Sequence, residues 1–199
     1  SAANSVALRT AAERGKLLIA MPKTAALPWL RESRIAPGAN LIDDPNRPLI
    51  DPQATEAISD NGELRRNWDK GWFTIDTPRT QAAMGWIGGE KIALAEVEIN
   101  ATTRNATIAV QSLDGAALGK SGDILISLAA RSQPEGGKRL PFRSEPVKGQ
   151  LIIRAQAGMK LYRKGVLQAQ QALPVTYREG RYFIDLDSAL GSAWLVLKK

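Results

Sequence analysis

From residue 60 onward, short runs of alternating apolar and polar residues recur about every eight to fifteen residues, with turn residues between them. Val97 and Ile99 alternate with Glu96 and Glu98, as in a strand with one dry face and one wet face. The pattern predicts an all-β fold, an antiparallel β-sandwich of jelly-roll or immunoglobulin-like type. We predict strands near residues 63–67, 72–76, 82–87, 91–100, 106–112, 123–131, 150–155, 160–163, 166–170, 174–178, 181–186 and 194–198. Glycine-containing turns are predicted at residues 88–89, 114–115, 135–137, 164–165 and 179–180.

The N-terminal part of the chain has a different character. Residues 7–19 approach helical spacing and are the predicted short helix. Six prolines between residues 22 and 52 argue against a central strand or a long helix there. We therefore expect residues 1–57 to form a helix and an extended proline-rich arm anchored by Trp29, and residues 58–199 to form the β-sandwich domain.

The composition excludes several kinds of chemistry. The chain has 199 residues, enough to bury one sizeable core, and contains neither cysteine nor histidine. Disulfides, thiolate catalysis, Ser-His-Asp triads and imidazole metal ligands are therefore excluded. No apolar run approaches the roughly 18 residues of a membrane helix. We expect a protein without a membrane partner, secreted or periplasmic, whose signal peptide has been removed or lay upstream.

The net charge of +7 is unevenly distributed. Residues 51–100 carry five basic against nine acidic side chains, whereas residues 151–199 carry eight against three. The basic C-terminal quarter raises the possibility of an anionic partner, either an acidic polysaccharide or nucleic acid. Nucleic acid is the less favoured of the two, because no helix-turn-helix, aromatic RNA-binding motif or zinc spacing accompanies the charge. Charges scattered singly among strands are also typical of a solvated surface.

Two pairs of carboxylates have the spacing of a candidate catalytic site. Glu96 with Glu98, and Asp185 with Asp187, would each lie on one face of a strand, at a separation that a two-carboxylate glycosidase uses. A solvated strand face is the alternative, so enzymatic activity stays uncertain and no catalytic residue is assigned. No metal or cofactor is predicted, because Asp43, Asp44 and Asp51 lack the spacing of a calcium loop.

Three of the five tryptophans are concentrated between residues 68 and 86. An aromatic ring can stack on the C–H face of a sugar, and planar guanidinium or amide groups can bind its hydroxyls. We therefore predict a carbohydrate-binding site at Trp68, Trp72 and Trp86, assisted by Arg79 and Gln81. Core packing, or packing against a partner domain, is the alternative for each tryptophan.

Several segments, in order, resemble a known family. They are Asp60-Asn-Gly-Glu-Leu, Trp68-Asp, Phe73-Thr-Ile-Asp-Thr-Pro-Arg-Thr-Gln, Asp123-Ile-Leu-Ile-Ser-Leu-Ala-Ala-Arg, Val147-Lys-Gly-Gln-Leu-Ile-Ile and Trp194-Leu-Val-Leu. Over about residues 27–199 the chain is similar to the β-sandwich accessory domain that follows the TIM barrel in bacterial glycoside hydrolases of the cellulase and agarase type. In that family the acid and the nucleophile lie on the barrel. The resemblance thus implies an accessory role and gives no catalytic residue to this chain.

The leading hypothesis is a non-catalytic accessory or carbohydrate-binding module of a polysaccharide-degrading glycoside hydrolase. Its partner would be a polysaccharide or a catalytic TIM-barrel domain. Two alternatives stay open, namely a stand-alone two-carboxylate hydrolase or lyase, and a binder of an anionic polymer through the basic surface.

Overall fold

The computed structural model of the chain describes residues 53–59, 61–137, 141–165 and 171–199. The chain forms two compact units, Ser1–Asp69 and Lys70–Lys199. The predicted N-terminal helix, the proline-rich arm and its Trp29 anchor lie outside the described residues, as does the predicted strand at 166–170. Within the described part, no helix is long and apolar enough to cross a membrane.

In the first unit, the described residues form a β-hairpin. Strands β1 (Glu56–Ile58) and β2 (Leu64–Asn67) are antiparallel, with Ala57 opposite Arg66. The predicted boundary between residues 57 and 58 falls inside β1. Across the hairpin the guanidinium of Arg65 lies 2.7 Å from the Glu56 carboxylate, and its hydrogen bond lowers the pKa of that carboxyl group.

The second unit carries the other described strands. They are β3 (Trp72–Asp76), β4 (Thr80–Gly85), β5 (Lys91–Ala93), β6 (Val97–Ala101), β7 (Ala106–Ser112), β8 (Asp123–Ala130), β9 (Ser132–Pro134), β10 (Phe142–Ser144), β11 (Gly149–Arg154), β12 (Lys160–Arg163), β13 (Thr176–Arg178), β14 (Arg181–Leu186) and β15 (Trp194–Lys198). Single 3₁₀ turns lie at Leu118–Lys120, Glu135–Gly137 and Ser188–Leu190.

These strands build two antiparallel sheets and a small hairpin. In the larger sheet the strands follow the order β3-β4-β7-β8-β15-β12, and in the smaller sheet the order β13-β14-β11-β6-β5. Strands β9 and β10 pair with each other. The predicted antiparallel β-sandwich is confirmed.

The core lies between the two sheets, and alternate residues of strands such as β6, β7 and β8 point into it. Ile108 and Ile126 of the larger sheet belong to one buried cluster with Leu151, Ile153 and Ile184 of the smaller sheet. Each of these side chains is at most 1% exposed. Full burial of such aliphatic side chains contributes about 1.5 to 3 kcal/mol each to folding, so this apolar layer is the main source of stability.

Most strand positions agree with the predicted ones, and each predicted turn contains a described glycine with positive φ: Gly89, Gly115, Gly136, Gly165 and Gly180. The single strand predicted over residues 91–100 is wrong, because β5 and β6 are separate strands that pair with each other. The turn between them is held by tertiary contacts. The carboxylate of Asp76 accepts from the amide of Ala95, and the side chain of Gln81 accepts from the amide of Glu96.

Candidate functional site

The five residues of the predicted carbohydrate site lie in different places. Trp68 belongs to the first unit, and the other four to the second. Trp72 begins β3 and Trp86 directly follows β4, so both are at the same end of the β3–β4 hairpin. Arg79 is exposed in the turn at the other end. Trp86 follows Arg79 by seven positions, which is about 23 Å of extended chain at roughly 3.3 Å per residue.

Trp86 has the properties of a fixed aromatic surface. Its side chain is 51% exposed, and its backbone amide donates to the carbonyl of Gly71 at 3.1 Å. A β-carbon at position 71 would lie only 2.6 Å from Cδ1 of the indole, so the ring packs directly on the backbone of Gly71. The guanidinium of Arg104 lies 5.2 Å from the ring centroid, a cation–π distance.

The neighbouring loops supply charged side chains. Lys70, next to Gly71, is 2.7 Å from the carboxylate of Glu90, which lies four residues after Trp86. The backbone amide of Gly88, two residues after Trp86, donates to the carbonyl of Arg104. This hydrogen bond links the segment around Arg104 to the segment that contains Trp86. We call Trp86, Arg104, Lys70 and Glu90 the Trp86 platform. It combines an exposed indole with ammonium, guanidinium and carboxylate groups. The indole can stack on a sugar ring, and the charged groups can bind the hydroxyls of the sugar.

Trp72 is half-buried and packs against the core. Its register partner across the hairpin is Gly85, where φ is +104° and a β-carbon would come within 2.3 Å of the carbonyl oxygen of Gly71. The missing side chain at Gly85 keeps this end of the sheet closely packed. The surroundings of Trp72 match core packing, the alternative to a role in carbohydrate binding.

Gln81 is completely buried and therefore out of reach of a ligand on the surface. Its side-chain oxygen accepts a hydrogen bond from the amide of Glu96 at 2.9 Å. Asp76, on the neighbouring strand, accepts from Ala95 at 3.2 Å. Together these side chains position the turn between β5 and β6.

Replacing Gln81 with methionine tests this structural role. Methionine keeps the length of the side chain but cannot accept from Glu96, so we expect a loss of about 1 kcal/mol in the free energy of unfolding. We expect no larger loss, because the amide nitrogen of Gln81 is already buried without a partner among the described residues, and methionine removes this unpaired group. Urea titration measures the change. An unaltered midpoint would show that the hydrogen bond does not stabilise the turn.

Trp68, in the first unit, is 38% exposed. The guanidinium of Arg66 lies 5.6 Å from its ring centroid, and its amide donates to Thr55 at 2.8 Å. This is the same combination of indole and arginine as at Trp86.

Trp194 was not among the predicted site residues, although its side chain, at 57%, is the most exposed of the large apolar ones described. It begins β15, where Leu195 and Leu197 are fully buried. The alternation of the final strand therefore contained the signal that Trp194 faces outward.

The candidate catalytic carboxylates are engaged in structural contacts. Glu98 accepts from Asn100 at 3.0 Å and lies 3.2 Å from Lys91. The Asn100 hydrogen bond, followed by the charge of Lys91, lowers the pKa of Glu98. Glu96 faces the guanidinium of Arg154 at 3.5 Å. A general acid for glycoside cleavage needs the opposite shift, a raised pKa, so Glu98 is poorly suited to that role.

The second pair is similar. Asp185 accepts a hydrogen bond from the side-chain amide of Gln150 at 3.0 Å. Asp187 caps the 3₁₀ turn by accepting from the backbone amide of Ala189 at 2.8 Å. Asp187 also lines a cleft of about 570 Å³ whose other walls include Ala129, Ser144 and Ser188. Among the residues that the structure describes, no group of three or more acidic side chains is placed to hold a metal ion.

Comparison with protein-family models, with characterised proteins and with solved structures gave no significant match for this chain. The functional assignment therefore depends on the geometry of the site and on the resemblance of the sequence segments.

Proposed function

We propose that this chain is a non-catalytic β-sandwich module that binds carbohydrate as an accessory to a polysaccharide-degrading glycoside hydrolase. The observation that carries the proposal is the Trp86 platform, where a half-exposed indole is held against the Gly71 backbone and flanked by Arg104. A rigid aromatic surface binds a sugar ring without losing side-chain freedom, which favours affinity.

The roles of the carboxylates support a non-catalytic module over a stand-alone hydrolase. Glycoside hydrolysis needs one carboxylic acid with a raised pKa and a second carboxylate close to it. Here Glu98 has a lowered pKa, and Asp187 is used as a turn cap. The catalytic groups would be supplied by a TIM-barrel domain, as the resemblance implies. The same resemblance implies a secreted or periplasmic bacterial enzyme.

Affinity electrophoresis in gels containing neutral glucan, agarose or acidic polysaccharide tests the proposal. We expect at least one polymer to retard the parent chain. Replacing Trp86 with alanine should weaken that binding about tenfold, because the stacking contribution of one aromatic ring is lost. Trp86→Phe, which keeps an aromatic face, should retain most of it.

Phe142→Ala is the matched control, since Phe142 is also an exposed aromatic residue, at 54%, but lies on β10. If the Trp86→Ala variant is retarded as strongly as the parent, the Trp86 platform does not bind the polysaccharide. An absence of retardation in all of the gels would contradict carbohydrate binding itself.

A further inference from the structure

A second aromatic surface lies on the outer face of the larger sheet. Leu195 and Leu197 of β15 point into the core and are fully buried, so Trp194, Val196 and Lys198 lie on the opposite face of the strand. On that face Trp194 is 57% exposed and Lys198 is half-buried, whereas Val196 is covered by its neighbours. On the neighbouring strand β12, Tyr162 is opposite Val196 and Lys160 is opposite Lys198. Directly paired residues share a face of a sheet, so these side chains lie together on the outside.

The aromatic and basic groups of this face are close to one another. Trp194 and Tyr162 are diagonal neighbours, which places their backbones about 7 to 8 Å apart. The ammonium group of Lys198 lies 5.2 Å from the ring centroid of Tyr162. Lys160 is exposed beside it. We call Trp194, Tyr162, Lys198 and Lys160 the basic aromatic strip.

The surroundings of the strip are positively charged on one side and uncharged on the other. Lys164 follows β12, and its amide donates to the carbonyl of Trp194 at 2.8 Å. Among the described residues of this face, Asp123, opposite Lys198, is the one acidic side chain. The row that continues from Trp194 across the sheet is uncharged and consists of Ser127, Ala109, Ala82 and Ile75. Ala82 is buried in this row, so the accessible surface next to Trp194 is provided by Ser127 and Ala109.

These features select a ligand that has both an apolar ring face and a negative group. A sugar ring can pack its C–H face on Trp194 or Tyr162, and a carboxylate on that sugar can reach the lysine ammonium groups. Nucleic acid is favoured less, because it requires a continuous track of cations along its phosphates. Here the cations are confined to the edge of the sheet formed by β12 and β15, with Asp123 of β8 beside Lys198.

We propose that the basic aromatic strip is a second glycan-binding surface, which takes a polysaccharide containing uronic acids. The carbohydrate nature of the ligand rests on the proposed function, whereas the site and the requirement for a carboxylate rest on the strip alone. It is independent of the Trp86 platform, which includes no residue of β12 or β15.

The test compares polygalacturonate with its methyl ester, which has the same sugar backbone but lacks the carboxylate charge. In affinity gels at low salt, polygalacturonate should retard the parent chain more strongly than the ester does. Trp194→Ala should weaken binding to polygalacturonate about tenfold. The double variant Lys160→Gln, Lys198→Gln should weaken it about threefold at low salt, and this difference should vanish near 0.5 M salt because of screening.

Trp86→Ala and Phe142→Ala, measured in the same gels, separate this proposal from the proposed function. If Trp86→Ala weakens binding while Trp194→Ala and the lysine variant match the parent, the strip proposal is overturned and the proposed function stands. Equal retardation by the acid and its ester also overturns it. The proposal is also overturned if single-stranded DNA retards the chain in a way that depends on Trp194 while polygalacturonate does not retard it. Circular dichroism and urea midpoints of each variant establish that it is folded.

Discussion

Gly149→Ala is expected to lower the free energy of unfolding by about 3 kcal/mol or more, through backbone strain and a backbone clash. Gly149 has a φ of +134°, which side chains of L-residues rarely adopt. A β-carbon there would lie 2.3 Å from the carbonyl oxygen of Asn100 and 2.8 Å from Cα of Ala101. These are backbone atoms of the paired strand β6, which cannot move aside without breaking the ladder.

Gly115→Ala is the matched control for this prediction. Gly115 also has a positive φ, +77°, but a β-carbon at that position meets no atom within 4 Å. The control thus carries the strain without the clash, and we expect it to cost about 1 kcal/mol. Urea titration of the two variants separates the contributions. Equal urea midpoints of the two variants would show that the close approach of β11 and β6 does not exclude a side chain at position 149.

Tyr182→Phe is expected to cost about 2 kcal/mol, because two backbone groups lose their partner. Tyr182 is 1% exposed on the inner side of β14. Its hydroxyl donates to the carbonyl of Gln156 at 2.8 Å and accepts from the amide of Met159 at 2.9 Å. It therefore closes the loop between β11 and β12. Tyr177→Phe, at a 41% exposed side chain, should change stability by less than about 0.5 kcal/mol.

The contribution of Tyr182 to the free energy of unfolding should depend on pH in the alkaline range. Burial raises the pKa of Tyr182 above its ordinary value of about 10. Since the folded pKa is above the unfolded one, this contribution is complete below about pH 10 and is lost as pH rises through the folded pKa. The stability difference between parent and Tyr182→Phe should therefore shrink as the pH rises above about 10. A difference that stays constant over that range would contradict the buried environment of the hydroxyl.

Much of the fold follows from local sequence signals. Residues 106–112, for example, were predicted as a strand from alternation, and β7 occupies the same positions because Ile108 and Val110 face the core. Asp114-Gly115 was predicted as a turn, and Gly115 adopts the left-handed conformation there. In both cases the preference of the residues and the requirement of the tertiary structure agree.

Sequence signals fail where distant side chains decide the local structure. Residues 94–96 contain no glycine, proline or asparagine, yet they form the turn between β5 and β6, because Asp76 and Gln81 satisfy its amide groups. Strands β9 and β10 were also missed, since their side chains are all exposed and carry no alternation. Pairing alone defines such strands, and pairing partners are not visible in one segment.

The candidate site shows a similar division. The sequence predicts an aromatic carbohydrate-binding site near residues 68–86, and in the structure the Trp86 side chain of this region is 51% exposed. It could not separate Trp86 from Trp72, because a tryptophan at a strand end suits both the core and the surface. Arg104 comes next to Trp86 through a turn that lies 18 residues later in the chain. A partner of this kind is set by topology, not by local spacing.

Binding of an oligosaccharide to Trp86 can be observed through the indole N–H signals of the ¹⁵N-labelled chain. The five tryptophans give five indole signals, which single Trp→Phe variants assign. During titration with cellohexaose, agarohexaose or hexagalacturonate, we predict a saturable shift of the Trp86 signal with at least one sugar, while the signal of core-packed Trp72 stays in place. A Trp86 signal that does not move at high concentrations of any of these sugars would show that Trp86 does not bind carbohydrate.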